Sequence, residues 1–390
     1  MSLTREFLIH EVQPEVILDS YGEFNNVDMF LTFEGRKMLF NSVRILFDVE
    51  IEGLVGLDNT TTAKNLFYNH SAGGHAFVES IETQVRGSSV ESLQEYARYV
   101  VMKTSSTKSS SDLCNGSSAC EGKAPSNRLT NYLLRGYPSG YLSEGATGQG
   151  TVGTYPNSIT TPLDVSFKPD ICLNNSPNTS ISYRKVGEQP VRLSIRLARN
   201  FSALYGADMG SAVSYKLTNL RVTFASVMDD GTDDPETLFR CKNNIKASFT
   251  GNFANIQAIV PAPANAVSIS FQPQGNENQA LLDNYQMYAP PDVRKVQFLF
   301  NDSTSQYISY VLENREEILD RAIESFSDTG GNEAQLYKLV GNNGYMLGLN
   351  FGEYVPFQNG QKFNLQLTSS IGTQAIPYIA YMYFHTLVVL

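Results

Sequence analysis

Tryptophan is absent from this 390-residue chain, and cysteine and histidine occur only four times each. Four cysteines are too few to staple a chain of this length as a disulfide scaffold. Cys114 and Cys120 share one polar loop, where a local bridge and two free thiols are both open readings; Cys172 and Cys241 have no cysteine near them in sequence. The histidines His10, His70, His75 and His385 are scattered, with no H-x-x-x-H or C-x-x-C pair, so a metal site of ordinary spacing is not expected. Charge is scarce as well. Asp, Glu, Lys and Arg make up 17% of the chain, against roughly a quarter in an average soluble protein. The formal net charge of -10, without a basic block, argues against nucleic-acid binding as the main activity. No run approaches the roughly 20 apolar residues of a membrane-spanning helix. Residues 1–6 lead into no apolar stretch, so no signal peptide is expected.

Catalytic motifs are missing too. There is no G-x-S-x-G elbow and no phosphate loop ending in Lys-Ser/Thr. Gly148, Gly150 and Gly153 match G-x-G-x-x-G, but Tyr155-Pro156 stands where a helix should begin, so a dinucleotide site is not expected. Residues 136–141, with Gly136, Tyr137, Gly140 and Tyr141, read as loop packing. The acidic stretch 228–236 lacks the spacing of a calcium loop and reads as a solvated linker. His75 reads as a strand-edge residue rather than a general base. Sequons at Asn59, Asn69, Asn115, Asn178 and Asn200 matter only if the protein is secreted. The expectation is a non-enzyme with no catalytic, cofactor-binding or metal residue and no cofactor.

What the chain does have is Tyr and Phe (21 and 22), many small polar residues, and strand periodicity. Val43, Ile45, Phe47, Val49 and Ile51 alternate with Arg44, Asp48 and Glu50. Val191, Leu193, Ile195 and Leu197 alternate with Arg192, Ser194 and Arg196, and Phe363, Leu365 and Leu367 with Asn364 and Gln366. Such strands bury one face, as in antiparallel sandwiches. The apolar stretch 376–390 contains Pro377 and His385 and reads as a buried strand.

Two segments look alike. Strand 77–85 leads through Arg86-Gly87 to Ser88 and Glu91, spaced as an S-x-x-E capping box, with a helix expected over 89–102 and Val90, Leu93, Ala97, Val100 and Val101 on one stripe. Strand 293–300 leads to Ser303 and Gln306, the S-x-x-Q form, with Ile308, Val311, Leu312, Ile318, Leu319, Ala322 and Ile323 as its stripe. After each come three further strands: 163–167, 191–197 and 213–224, then 347–351, 363–367 and 378–390. The repeated order predicts an internal duplication. The acidic stretch is the best boundary, giving residues 1–228, with a long loop over 104–161, and residues 229–390. Segment 229–292 is expected as a second excursion.

The stretch 73–98, from Gly73-Gly74-His75 through Gly87-Ser88 to Tyr96-Ala97-Arg98, resembles the first jelly roll of double jelly-roll major capsid proteins of tailless icosahedral double-stranded DNA viruses. The closing part, 344–384, is similar to the end of the second roll. The resemblance implies a mainly β fold of two tandem eight-stranded jelly-roll sandwiches, each with a short helix after a strand, plus long loop excursions. It implies a major capsid protein whose homotrimers form pseudo-hexagonal capsomers of an icosahedral shell. The implied partners are neighbouring capsomers, penton and minor capsid proteins and, in some shells, an internal membrane, with no sequence-specific nucleic-acid binding; the implied location is the virion. The closing strand runs to Leu390, so clamping by a long C-terminal arm is not expected. The alternative is a carbohydrate-binding or adhesin-like double sandwich, which would normally use exposed Trp; a glycan-hydrolysing sandwich would need two convergent carboxylates, and nothing points to them.

Overall fold

The computed structural model describes residues 6–53, 66–109, 112–113, 117–123, 163–206, 209–232, 236–250, 253–260, 262–288, 293–301, 306–326, 344–355, 362–369 and 377–390. Cys114, the Gly148–Gly153 motif, the Gly/Tyr stretch 136–141 and Ser303 lie outside them.

Ten strands come from the first part of the chain: β1 (Phe7–Val12), β2 (Asn26–Leu31), β3 (Arg36–Leu39), β4 (Arg44–Glu52), β5 (Val78–Val85), β6 (Ser88–Leu93), β7 (Leu163–Phe167), β8 (Ser180–Ser182), β9 (Val191–Leu197) and β10 (Ser214–Met228). Eight follow: β11 (Leu238–Phe249), β12 (Phe253–Ala258), β13 (Ala264–Pro273), β14 (Val293–Asn301), β15 (Gln306–Leu312), β16 (Met346–Val355), β17 (Lys362–Ser369) and β18 (Tyr378–Val389). The two main helices are α1 (Tyr96–Thr107) and α2 (Arg315–Glu324).

The strand orders repeat. In the first part, β1-β10-β4-β7 form one sheet, with β3 and β8 as additions, and β2-β9-β5-β6 form another. In the second part, β11-β18-β13-β16 and β12-β17-β14-β15 follow the same scheme. Each set is two four-stranded antiparallel layers, the jelly-roll plan. Direct strand pairing between the two sets is confined to one bridge. β6 and β11 meet in parallel at Ser92 and Asn243, which joins the β2-β9-β5-β6 layer to the β11-β18-β13-β16 layer as one eight-stranded sheet.

The alternation read from the sequence is what the layers bury. Ile45, Phe47 and Val49 of β4, Val191, Leu193, Ile195 and Leu197 of β9, and Phe363, Leu365 and Leu367 of β17 all point into cores. β18 serves two cores at once. Ile379, Tyr381 and Tyr383 join the cluster of the first sandwich and the junction, whereas Ala380, Met382 and Phe384 join that of the second. A strand covered on both faces reads as a continuous apolar run, which is why 376–390 lacks alternation.

Three expectations are corrected. Ser88 does not cap a helix: it opens β6, and Arg86 (φ 54°) with Gly87 (φ 71°) forms a tight hairpin turn that pairs Val85 with Ser88. A two-residue hairpin of type I′ has positive φ at both central positions, as the Arg-Gly pair does here. In the second copy, residues from Gln306 likewise form β15, and its helix begins only at Arg315, capped by the Asn314 side chain. The shared unit is thus strand, hairpin, strand and then helix. Finally, segment 229–292 is not an excursion, for it carries β11, β12 and β13.

Candidate functional site

Two Ser–His contacts occur among the described residues, Ser226 Oγ with His10 Nε2 at 2.6 Å and the buried Ser268 Oγ with His385 Nε2 at 3.1 Å; most of the charged and polar buried side chains gather where the two sandwiches meet. α1 lies at the centre of this junction. Its leading residue Glu95 is held in left-handed backbone (φ 51°, ψ 39°) and supplies no side-chain cap. The Glu95 carbonyl instead accepts from the Tyr383 hydroxyl at 3.0 Å. Nearly every residue of α1 is buried, so packing rather than capping holds it.

Arg98 reaches from α1 into the second sandwich. It is only 2% exposed and donates to the Gln272 side chain, to the Asn284 carbonyl and, at 3.3 Å, to the Gln286 carbonyl. Its guanidinium carbon lies 4.1 Å from the centre of the Tyr381 ring. A planar cation with a fork of donors suits this bed of oxygens and one aromatic face. At the next position, the Tyr99 ring packs against Tyr383 (5.4 Å), Phe326 (6.0 Å) and His385 (6.0 Å), all from the second sandwich.

An ionic network lies on the other side of α1. Asp170 receives Lys103 of α1 at 2.6 Å and Lys242 of β11 at 2.8 Å. Burial pushes the Asp170 carboxyl up, but the two ammonium groups overcome it and hold the group well below the usual carboxylate range. Glu91 of β6 grips backbone from both sandwiches: one oxygen accepts from Cys172 N–H at 2.6 Å, the other from Lys242 N–H at 2.8 Å. Its pKa is raised by burial, which outweighs Lys242 and the two N–H donors. The carboxylates are thus engaged by lysines and amides. Among the described residues, no group of three or more His, Cys, Asp or Glu is placed to hold a metal ion.

His75 is not a strand-edge residue. It sits in a short 3-10 helix, Gly73–Phe77, fully enclosed, with Nδ1 2.8 Å from the Tyr96 hydroxyl. The same hydroxyl accepts from Asp170 N–H at 2.9 Å, which leaves its own proton for His75. Burial lowers the pKa of His75 to about 4 and that of His385 to about 3. Gly73 before it is required: its φ is +59°, and a Cβ there would lie 2.3 Å from the Glu121 carbonyl oxygen. The acidic linker is only partly solvated, because Lys37 reaches Asp230 at 2.9 Å and Asp229 at 3.7 Å. Sequence reasoning missed Arg98, Asp170 and Lys242, whose partners lie in distant parts of the chain with no short-range spacing to mark them, and it read Glu91 as half of a capping box.

The outer surface offers a different feature. Among the described residues β1 pairs only with β10, and it exposes Phe7, Leu8 and Ile9; the turn after it exposes Val16, Ile17 and Leu18. Ile9 is 65% and Ile17 75% exposed. Six such residues in a short stretch depart from the scattered single exposures of an ordinary monomer surface.

No protein-family model matches the chain, and no curated protein sequence does. Solved structures do. PBCV-1 VP54, a crystal structure fitted into a cryo-EM reconstruction of the virophage Sputnik, is similar with a TM-score of 0.59 and 11% identity, covering 100% of this chain and 96% of that one. The Faustovirus major capsid protein is similar with a TM-score of 0.58 and 11% identity, covering 99% and 90%. The 3.5 Å cryo-EM structure of the Sputnik virophage gives 0.53 and 10%, covering 98% and 85%. At this identity the likeness shows the fold: the chain is a double jelly roll over its whole length.

Proposed function

We propose that this chain is a major capsid protein whose homotrimers form pseudo-hexagonal capsomers of an icosahedral viral shell. The observation that carries the reading is the match of the complete double roll, end to end, to the Faustovirus major capsid protein and its structural kin. The two rolls are residues 1–228 and 229–390, so that one chain supplies two of six quasi-equivalent sides. A shell tile must also be stiff, and the seam fits that need: α1 and its buried polar contacts make one block of the two rolls. Neighbouring copies are the partners for the apolar edge formed by β1 and Val16–Leu18, since lateral contacts of a stable assembly each bury on the order of 1,600 Å². Penton and minor capsid proteins, and an internal membrane where the particle has one, are further partners, with the virion as location. The role is structural, with no catalytic step assigned.

Light scattering of the purified protein combined with electron microscopy tests this. A trimer of hexagonal outline, or spherical shells, is the expected result, and Ile9→Asp with Ile17→Asp should shift the population toward monomer while leaving the circular-dichroism spectrum intact. A wild-type monomer at all concentrations, or one that binds a sugar, overturns the reading.

A further inference from the structure

The duplication turns the internal seam into a template for a contact between molecules. β6 closes the β2-β9-β5-β6 layer as β15 closes the β12-β17-β14-β15 layer, and β1 opens its layer as β11 opens the other. Pairing matches the two closing strands residue by residue. Leu93 pairs with Ile81 and Leu312 with Val296, both leucines are buried, and a helix starts three residues after each, at Tyr96 and Arg315. Ser92 of β6, which bridges to Asn243 of β11, therefore corresponds to Val311 of β15. On the other side of the seam, β11 runs antiparallel to β18 as β1 runs antiparallel to β10.

Within the chain, β6 meets β11; among the described residues, β15 pairs only with β14 and β1 only with β10. The two unused edges also differ from β6 in composition. Tyr310 and Val311 are 38% and 42% exposed, where β6 has Glu91 and Ser92, and Phe7, Leu8 and Ile9 are exposed on β1. A strand edge left bare is usually guarded by charge or shortness; these two carry apolar side chains beside the open backbone.

We propose that β15 of one copy lies beside β1 of the next, in the parallel sense of the β6–β11 bridge, so that each molecule repeats with its neighbour the step that relates its own two rolls. This contact rests on the homotrimer proposed above and says which strands meet in it. It is head-to-tail, because the two surfaces differ and every copy offers one of each. Such a contact ends only when the ring closes, and with two rolls per chain a six-sided ring closes at three chains. Pairing of β1 against β1 would instead stop at two.

The test is disulfide trapping in the full chain, with Cys114→Ser and Cys120→Ser removing the loop thiols. Val311→Cys is combined in turn with Ile9→Cys, His10→Cys, Glu11→Cys and Val12→Cys, oxidised, and read by non-reducing electrophoresis and peptide mapping. The expected result is a combination that yields covalent dimers and then covalent trimers, absent from Val311→Cys alone, through a peptide joining β15 to β1. Should the double variants not fold, hydrogen exchange of the wild type decides: amides of both β1 and β15 must become slower on assembly, and unchanged exchange in either strand overturns the contact. A trimer that no combination traps, or links that stop at dimers, overturns the contact and leaves the capsid reading standing. A protein that is monomeric at every concentration overturns both.

Discussion

The two copies of the hairpin-and-helix unit use opposite means to hold the same element. α2 is built from local rules: the Asn314 side chain accepts from Glu316 N–H at 2.9 Å, Glu316 and Glu317 sit at its positive end, and Arg321 pairs with Glu324 at 2.8 Å. It lies over β16, with Ile318 and Ala322 turned inward. α1 has no cap, no acidic residue in its first turn and no basic residue in its last. It is stabilised almost wholly by distant groups: Gln272, Asn284, Tyr381 and Tyr383 on one side, Asp170 on the other. The same duplicated motif therefore serves once as a self-sufficient cover and once as the wedge between sandwiches. What was gained at the wedge is coupling, because α1 cannot be lost without loosening both halves.

This contrast can be broken in a definite order. Asp170→Asn removes the shared counter-charge of Lys103 and Lys242 and should cost roughly 3–5 kcal/mol in guanidinium unfolding, with both sandwiches melting together. Adding Lys242→Met should recover part of that loss; full additivity would deny the coupling.

Acid acts next, and again on the α1 side. His75 is neutral when folded, with a pKa near 4, against 6.5 when unfolded. Its contribution is complete above pH 6.5 and is lost as pH falls toward 4, by at most roughly 3 kcal/mol. Glu91, with its raised pKa, works in the opposite sense, since the folded form takes up a proton more readily and acid relieves its cost. Denaturation curves from pH 7.5 to 4.5 should therefore show falling stability, and His75→Gln should flatten the slope.

At α2 the effects are small and local. Asn314→Ala should cost about 1 kcal/mol through the lost cap and leave the junction unaffected. Ser88→Ala, at an exposed strand position, should change stability by less than about 0.5 kcal/mol. A loss of a full kilocalorie there would restore the capped-helix reading of 88–91.

The sequence carried the strands well because burial on one face writes itself as alternation, as in β4, β9 and β17. It carried the duplication through the order of elements. It misplaced the helices by one strand, since Ser88-x-x-Glu91 satisfies a capping box while Glu91 in fact points inward to take amides from Cys172 and Lys242. The signal that could have separated the two was Arg86-Gly87, a turn dipeptide between segments of β length. The junction was illegible for a different reason. Arg98, Asp170 and Lys242 gain their meaning only from residues brought near by tertiary structure, and a single chain of letters does not record those distances.

The single-bridge meeting of β6 and β11 has a consequence in time. Until β11 arrives, the first sandwich has a finished layer whose last strand has no neighbour on one side. Open edges recruit strands from other molecules. β6 is six residues long and reads Ser-Ser-Val-Glu-Ser-Leu, short and poor in apolar side chains. A newly made chain waiting for its second half thus presents a poor template to its siblings, during the interval when that open edge is most exposed to mispairing.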